Sequence, residues 1–506
     1  MRTADGPGLL TAKAAALSSL TDILHQSPAL HHCRIAVAAG SRDNGYSADI
    51  YAPLPPTRPF IAPPSPSQLR EMPAETALPE ATTVCVVGAG PSGMACALGL
   101  AARSIPVVLV DALEAGHNSS RAIGIQASAL EALNATHPQL VTDLLSDGIP
   151  SKTFTTIDLA ERELLRLRLY DLAQYTQFPF MLLLTQHKAE RRMRAALSAA
   201  GVPIHWNTRV TSYTPSDAGH VVSFASGQTL TARYVVGADG HHSTIRFLAG
   251  IALLNPLTRQ PSAPSPADPS FVVADVLLAE PIPPNLPRDR IQIMVGGGGM
   301  VLSAPLLSDS PNPRKKNFFR LYLGVGETPP SSPDLAYVQA ILDTRGPGAV
   351  VKTEHGVVKV EELLHAARYR TRPALVEKMV QRAEGREAWT VLIGDAAHGN
   401  APAGGQGMAL GICDGAELAA AIHEHLTAPA GPGPDAMDVY AARRHAVAYQ
   451  VVTLVEDIMQ VEKGGMDWKS RARNNVIWAA GRVAPVNRLL AWKISGLGNK
   501  DIKGKV

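Results

Sequence analysis

The feature that most constrains the fold of this chain is a glycine-rich turn, G-x-G-x-x-G, between an apolar strand and a helix. Its glycines are Gly88, Gly90 and Gly93. The first permits a tight turn, the second lets a pyrophosphate approach the backbone, and the third lets helix and strand pack closely. The pattern predicts a doubly wound α/β unit that binds a dinucleotide.

An acidic residue at the expected distance supports this prediction. The second apolar run, residues 107–110, ends in Asp111. A carboxylate about twenty residues beyond the last glycine is placed to accept hydrogen bonds from the ribose of an adenosine. We therefore expect the adenosine end of a ligand to lie near Asp111.

Two later segments also carry a glycine and an aspartate at the end of an apolar strand. One contains Asp239-Gly240 before a helix start, and the other contains Gly394-Asp395 before a Gly/Pro-rich turn and a longer helix. A loop with few Cβ atoms lets a flat ligand approach the backbone, and a helix N-terminus presents N–H groups and partial positive charge. The third segment therefore predicts a site for a flat ligand with hydroxyl groups.

Together the three segments resemble those of the flavoprotein aromatic hydroxylases, the para-hydroxybenzoate hydroxylase and phenol hydroxylase superfamily. The resemblance covers roughly residues 82–495 and implies non-covalent FAD, with NAD(P)H as a transient co-substrate. The cofactor-binding positions that it implies are Gly88, Gly90, Gly93, Asp111, Arg121, Gln186, Asp239, Gly240, Gly394, Asp395, Gly407 and Met408.

The same resemblance implies the catalytic positions. A helix beginning near Pro402 would place its positive end beside the flavin, and Pro402, Gly404 and Gly405 would shape the oxygen pocket. Arg121 would gate a flavin that moves between two positions. Ala409 stands where the family usually has asparagine, so that only backbone contacts to the flavin would survive there.

The reaction that the resemblance implies is monooxygenation. NAD(P)H would reduce the flavin, O₂ would form a C4a-hydroperoxide, and one oxygen would be transferred to an aromatic, phenolic or polyketide-type small molecule. Other FAD enzymes of the same fold stay open as alternatives: an epoxidase, a Baeyer–Villiger enzyme, a reductase, or a non-oxygenating FAD-binding protein. The chain lacks the Trp-x-Trp-x-Ile-Pro segment of flavin halogenases and the redox-active cysteine pair of disulfide reductases.

Composition limits the partners. The 506 residues are 46% hydrophobic and 18% charged, and the net charge is only +3, which argues against nucleic acid. No apolar run is long enough for a transmembrane segment. The four cysteines have no metal-binding spacing, which predicts no metal site and indicates a reducing compartment, the cytoplasm. We expect a monomer or homodimer.

The order of these segments predicts a Rossmann-like, discontinuous FAD-binding domain with an inserted antiparallel-sheet substrate domain. Residues 1–80 are predicted to be a disordered N-terminal extension with a Pro-rich linker. The remaining assignments are the FAD-binding domain at 82–150, 186–251 and 387–426, the substrate domain at 151–185 and 252–386, and C-terminal helices at 427–506. Strands with alternating apolar residues in the substrate domain predict a sheet with one covered face.

Overall fold

A computed structural model gives the fold. It describes residues 77–116, 122–265, 268–308, 317–351, 356–401, 405–428, 433–462 and 468–501. Nearly all of the predicted N-terminal extension, residues 1–80, lies outside the described residues. So do three of the predicted site residues, Arg121, Pro402 and Gly404.

The larger of two main sheets has eight strands in the order β19-β20-β11-β1-β2-β8, with β10 paired to β11 and β9 to β10. The strands β20, β11, β1, β2 and β8 are parallel. Most residues of β1, β2, β11 and β20 are buried, as expected for parallel strands that helices cover, whereas the short edge strand β8 is half-buried. The bounds are β1 Ala81–Val87, β2 Val107–Val110, β8 Ile204–His205, β9 Val210–Ser216, β10 Gly219–Phe224, β11 Thr229–Gly237, β19 Val380–Arg382 and β20 Trp389–Leu392.

Ten α-helices lie between the strands or after them in the described residues. Their bounds are α1 Pro91–Ala101, α2 Ala127–Asn134, α3 Pro138–Ser146, α4 Gln186–Ala199, α5 Thr244–Leu248, α6 Leu335–Arg345, α7 Gly407–Thr427, α8 Ala436–Glu462, α9 Trp468–Arg482 and α10 Ala484–Ile494. Short 3₁₀ helices occupy Leu169–Leu172, Gly394–Ala396 and Leu497–Asp501. None of the helices in the described residues is long and apolar enough to cross a membrane.

The second main sheet has seven strands in the order β17-β13-β16-β15-β14-β5-β6. All neighbours are antiparallel except β14 and β5. Alternating apolar residues predicted three of its strands, β6, β14 and β16, and a β-rich run predicted β13, whereas β5, β15 and β17 were not predicted from that pattern. The bounds are β5 Thr153–Asp158, β6 Glu163–Arg168, β13 Ser270–Leu278, β14 Ile291–Gly296, β15 Gly299–Pro305, β16 Phe318–Gly324 and β17 Val360–Arg370.

The prediction that this sheet has one covered face is wrong for its centre. All seven residues of β16 are buried. One face, with Met300 and Tyr322, packs in the same core as the helices of the first sheet. The other face packs against Val338 and Leu342 of α6. The alternating pattern of the strands could not predict this contact, because the residues that bury the second face belong to α6, a separate segment of the chain.

The structure also contains two separate three-stranded sheets. The first pairs β3 Gly124–Ile125, β7 Met181–Leu183 and β4 Ile149–Ser151, and the second pairs β12 Leu253–Leu254, β18 Ala374–Val376 and β21 His398–Gly399. One boundary differs from the sequence assignment. The strand β19 pairs with β20 in the eight-stranded sheet, although 252–386 was assigned to the inserted domain.

Candidate cofactor site

The first glycine turn is held by backbone packing that only glycine allows. Gly88 has a φ of +108°, and a Cβ there would lie 2.3 Å from the carbonyl oxygen of Ala238. A Cβ on Gly93 would lie 1.9 Å from the oxygen of Gly88. The turn after β1 therefore packs backbone to backbone on the Asp-Gly segment that follows β11, which joins the first two sequence motifs.

Gly90 differs from its neighbours, because a Cβ there would have no described protein atom within 4 Å. It is the N-cap residue of α1, has extended backbone, and makes no side-chain cap; the first turn has no acidic residue. The first N–H groups of a helix need acceptors, and an anion such as a pyrophosphate suits them. The open space at Gly90 thus fits the predicted cofactor.

Asp111 follows β2 and holds the glycine turn. Its Oδ2 accepts a hydrogen bond from the N–H of Ala89 at 2.7 Å, and its Oδ1 accepts one from the N–H of Leu113 at 2.9 Å. A carboxylate oxygen can accept more than one hydrogen bond, so Asp111 can still receive a ribose hydroxyl.

A second carboxylate at this end, Glu190 of α4, was missed by sequence reasoning. Its side chain is buried, and its Oε1 accepts a 2.8 Å hydrogen bond from Nε2 of Gln186. Burial raises the pKa of Glu190, and the nearby Asp111 charge adds to the shift. Gln186 therefore orients Glu190 beside Asp111. The helical i, i+4 spacing of Gln186 and Glu190 is the sequence signal that could have found it.

Asp239 is engaged within its own segment. Its carboxylate accepts hydrogen bonds from Ser243 Oγ and, at 3.1 Å, from the N–H of Ile245. Burial raises its pKa. Asp239 therefore fixes the start of α5. Gly240 beside it has a φ of +81° and no described atom within 4 Å of an added Cβ.

Arg246 of α5 connects the second and third motifs. Its Nη2 donates to the carbonyl oxygen of His241 at 2.7 Å, and its Nη1 donates to that of Ala396 at 2.8 Å. Arg246 therefore holds the Asp-Gly segment and the Gly-Asp segment in a fixed relation.

The third motif turns at Gly394, where φ is +59° and a Cβ would lie 2.3 Å from Oγ of Ser92 in α1. Its N–H donates to Oδ2 of Asp414 at 3.0 Å. Asp395 follows on the exposed side of the same 3₁₀ helix. The turn therefore presents a carboxylate outward while its backbone is fixed from behind.

Asp414 of α7 is a fully buried hub that the sequence did not reveal. It accepts hydrogen bonds from Nε2 of His398 and from Nε of Arg444, each at 2.7 Å. Burial alone would raise the pKa of Asp414, but the Arg444 charge, His398 and the N–H of Gly394 outweigh it and hold the pKa at about 2. His398, the first residue of β21, is packed within this network.

Helices α1 and α7 pack closely because of small residues. A Cβ on Gly411 would lie 2.2 Å from Oγ of Ser92, and one on Gly99 would lie 2.7 Å from Cβ of Ala419. Since residue numbers increase together along this contact, the helices run parallel and both N-termini lie at the same end. Two positive helix ends therefore converge near Gly394.

The helix predicted to begin near Pro402 begins at Gly407. Gly405 has a φ of +60°, which a right-handed helix cannot contain, and Gln406 is the N-cap residue. Gly407 and Met408 thus form the first turn of α7. Ala409 behind them is 3% exposed.

The face of the seven-stranded sheet that carries Met300 and Tyr322, here called its inner face, also carries the polar residue Arg320. Arg320 is buried and donates to Asp275 through Nε at 2.6 Å and Nη2 at 2.7 Å. Its Nη1 donates to the oxygen of Ala122 at 2.6 Å. Tyr322 lies on the same face, whereas Gln292 is turned away and donates to Asn285.

Comparison with protein families decides the identity of this fold. The profile of a family described as an FAD binding domain matches residues 81–261 and 358–455. The chain belongs to this FAD-binding-domain family. The matched residues include all three glycine motifs, at Gly88–Gly93, Asp239-Gly240 and Gly394-Asp395.

Curated relatives of this FAD-binding-domain protein include monooxygenases. The 6-methylpretetramide 4-monooxygenase of Streptomyces rimosus is 28% identical over 76% of this chain and 62% of its own length. The rifampicin monooxygenase of Streptomyces venezuelae is 27% identical over 73% of this chain and 69% of its own length. The chain therefore spans less than two thirds of the first of these relatives.

Solved structures share the fold. The p-nitrophenol 4-monooxygenase PnpA of Pseudomonas putida superposes with a TM-score of 0.66, 22% identity, and coverage of 83% of this chain and 98% of that one. The OxyS anhydrotetracycline hydroxylase of Streptomyces rimosus superposes with a TM-score of 0.60 and 22% identity, and the match covers 82% of this chain and 76% of that one.

Proposed function

We propose that the protein is an FAD-dependent monooxygenase that hydroxylates an aromatic small molecule, phenolic or polyketide-type, with NAD(P)H and O₂. The overall change is conversion of an aromatic C–H bond into C–OH, while NAD(P)H is oxidised and the second oxygen atom leaves as water. The observation that carries the proposal is the convergence of two helix N-termini at Gly394, together with the apolar inner face of the seven-stranded sheet, which shares its core with α7.

The cofactor's two ends have separate supports. The open backbone at Gly90 and the start of α1 would hold the pyrophosphate, and Asp111 with Glu190 would hold the adenosine ribose. Asp395 would bind the ribityl hydroxyl groups from its exposed position. When bound, FAD supplies the electron relay between NAD(P)H and O₂ that the reaction needs.

The remaining site residues have supporting roles in the proposal. Gly407 and Met408 would contact the flavin through backbone groups at the positive end of α7. The left-handed backbone of Gly405 would bring the loop close to the ring without a side chain. The roles of Arg121, Pro402 and Gly404 stay predictions, because these residues lie outside the described residues.

The inner face of the seven-stranded sheet suits an aromatic substrate. Ile293, Met300 and Leu302 form an apolar surface, and Tyr322 adds a buried hydroxyl group. Burial raises the pKa of Tyr322, so that the hydroxyl stays protonated and can donate to a phenolic oxygen. Apolar walls with few placed polar groups are typical of small-molecule sites. The named activities of the relatives, on 6-methylpretetramide, rifampicin and p-nitrophenol, support the same class.

The test is oxygen incorporation. The purified chain is reconstituted with FAD and supplied with NADH or NADPH, and phenols and polycyclic aromatic compounds are added in turn under isotopically labelled O₂. We expect one substrate to accelerate NAD(P)H oxidation and to yield a product with one labelled oxygen atom. If no aromatic compound stimulates the oxidation or gains labelled oxygen, the proposal is wrong.

A second candidate function is a cyclisation without oxygen transfer. A dialkyldecalin synthase of Streptomyces rugosporus is 26% identical over 82% of this chain, and the Diels-Alderase PyrE3 superposes with a TM-score of 0.62. A protein of that kind would bind FAD yet convert its substrate without NAD(P)H or O₂. Product formation under anaerobic conditions without NAD(P)H would favour it.

The thiols fit a cytoplasmic protein, which we propose as a monomer or homodimer. Cys85, Cys96 and Cys413 are free and buried. Burial raises the pKa of Cys85 and Cys96 to about 12, so that neither supplies a thiolate for disulfide chemistry. These three cysteines therefore do not support a function in disulfide reduction.

A further inference from the structure

The start of α7 carries two buried amide donors. Gln406, the N-cap residue, is 3% exposed, and its Nε2 has no hydrogen-bond partner in the described part of the chain. The Nδ2 of Asn400 is buried and equally without a partner there. Buried polar atoms are almost always satisfied, so two unsatisfied donors near one helix end require an explanation.

Both amides lie beside the uncapped N–H groups of α7. The Oδ1 of Asn400 lies 3.3 Å from the position of a Cβ on Gly407, the first residue of the helix. Gln406 directly precedes Gly407, and no side chain caps the helix among the described residues. The Nε2 of Gln126 is also close, 3.9 Å from a Cβ on Gly405. The amides of Gln406, Asn400 and Gln126 therefore all lie close to the loop and the first turn at the start of α7.

The chemistry that would satisfy these donors is an electron-rich edge with carbonyl oxygens. Amide N–H groups and a helix N-terminus all present partial positive charge, which suits an acceptor rather than another donor. The pyrimidine edge of a flavin, with N1 and C2=O, is such an acceptor. Ala409 has no donor side chain, although the related hydroxylases usually have asparagine at this position.

We propose that Gln406 and Asn400 donate hydrogen bonds to the pyrimidine edge of FAD and replace the side-chain donor that Ala409 lacks. The inference rests on the FAD binding that membership of the family implies. Donors at this edge stabilise negative charge on the reduced ring, so they also raise the midpoint potential of the bound flavin.

The central variant is Gln406→Met, which keeps the side-chain length and removes the donor. We expect the Kd for FAD, measured by quenching of flavin fluorescence, to rise about tenfold, the factor expected for one good hydrogen bond. The midpoint potential of the bound flavin should become more negative. The melting temperature of the apoprotein should not fall, because the lost donor has no described protein partner.

Three further variants and one control complete the design. Gln406→Glu keeps the shape, adds negative charge, and should lower the potential further, which covers the case that Gln406→Met fails to fold. Asn400→Leu should weaken FAD binding in the same way as Gln406→Met. Adding Ala409→Asn to Gln406→Met should restore affinity and potential. Gln381→Met in β19 is the matched control and should change neither.

The outcomes separate this inference from the proposed function. If the unaltered apoprotein binds no FAD, both the cofactor assignment and this inference fail. If it binds FAD and the variants at Gln406 and Asn400 bind it with unchanged Kd and potential, this inference alone is wrong. A fall in apoprotein melting temperature with unchanged potential would assign the amides a purely structural role and also overturn it.

Discussion

His398 Nε2 donates a 2.7 Å hydrogen bond to Asp414 Oδ2, and both side chains are buried. The same oxygen accepts from the N–H of Gly394, four residues before His398. One carboxylate of α7 therefore fixes both ends of the Gly394–His398 segment. Because Asp395 lies inside that segment, the geometry of the proposed ribityl contact depends on a residue that itself stays buried.

Asp414→Asn should destabilise the protein by up to about 3–5 kcal/mol, because the buried Arg444 loses its fully buried countercharge and keeps only Glu417, at 3.1 Å. Urea unfolding measures the change. The control is Asp343→Asn, which removes a surface pair with Lys359 and should cost less than about 1 kcal/mol. Equal losses in the two variants would contradict a dominant role for the buried hub.

The free energy of unfolding should depend on pH through Asp414. The pKa of Asp414 is about 2 in the folded protein, below the ordinary 3.8, because Arg444 and His398 outweigh the effect of burial. A carboxyl with a lowered folded pKa stabilises the fold fully above about pH 4 and loses that contribution as the pH falls towards 2. Unfolding free energies measured from pH 5 to 2.5 should show this loss, on the order of 2 kcal/mol, and Asp414→Asn should flatten the curve. An equally steep curve in the variant would assign the loss to other groups.

Alanine at Gly88 should lower the stability of the protein, whereas alanine at Gly90 should lower only its affinity for FAD. Gly88→Ala forces a Cβ against Ala238 at a positive φ and should cost about 2–4 kcal/mol of stability. Gly90→Ala has room and an ordinary φ of −76°, so stability should be unchanged, while FAD affinity falls on the order of tenfold because the Cβ fills the cradle. Thermal unfolding and FAD titration separate the effects. Undiminished FAD affinity in Gly90→Ala would place the pyrophosphate elsewhere.

Arg320→Met should destabilise the protein by about 3–5 kcal/mol, because Asp275 loses a bidentate partner in a buried setting. Adding Asp275→Leu should recover part of the loss, since removing both charges also removes the desolvation penalty. Urea unfolding of the two single variants and the double variant completes the cycle. Strictly additive losses would show that the pair is not coupled.

Tyr322→Phe should raise the KM for the aromatic substrate about tenfold with little change in kcat, because one hydrogen bond to the substrate is lost. FAD affinity should be unchanged, since Tyr322 lies on the inner face of the seven-stranded sheet rather than on the glycine turns. Tyr337→Phe is the control, because Tyr337 lies on α6 against the opposite face. An unchanged KM in Tyr322→Phe would exclude its hydroxyl from substrate binding.

Local chemistry made part of the site readable from the residues. A glycine with positive φ, an apolar strand before it and a helix after it are properties of neighbouring residues, so the turns at Gly88, Gly240 and Gly394 could be predicted. The alternating strands of the inserted sheet were readable for the same reason. The start of α7 was misplaced, because the pattern of small residues does not reveal that Gly405 has left the right-handed region.

The sequence by itself determined the glycine turns at Gly88, Gly240 and Gly394 and the alternating strands β6, β14 and β16. Only the tertiary structure decided which polar groups meet. The ion pair of Asp414 and Arg444, the pairing of Arg320 with Asp275 and the two amides at Gln406 and Asn400 all depend on how separate elements pack. Spacing along the chain records local conformation, whereas partners of buried charges are selected by desolvation in the folded core.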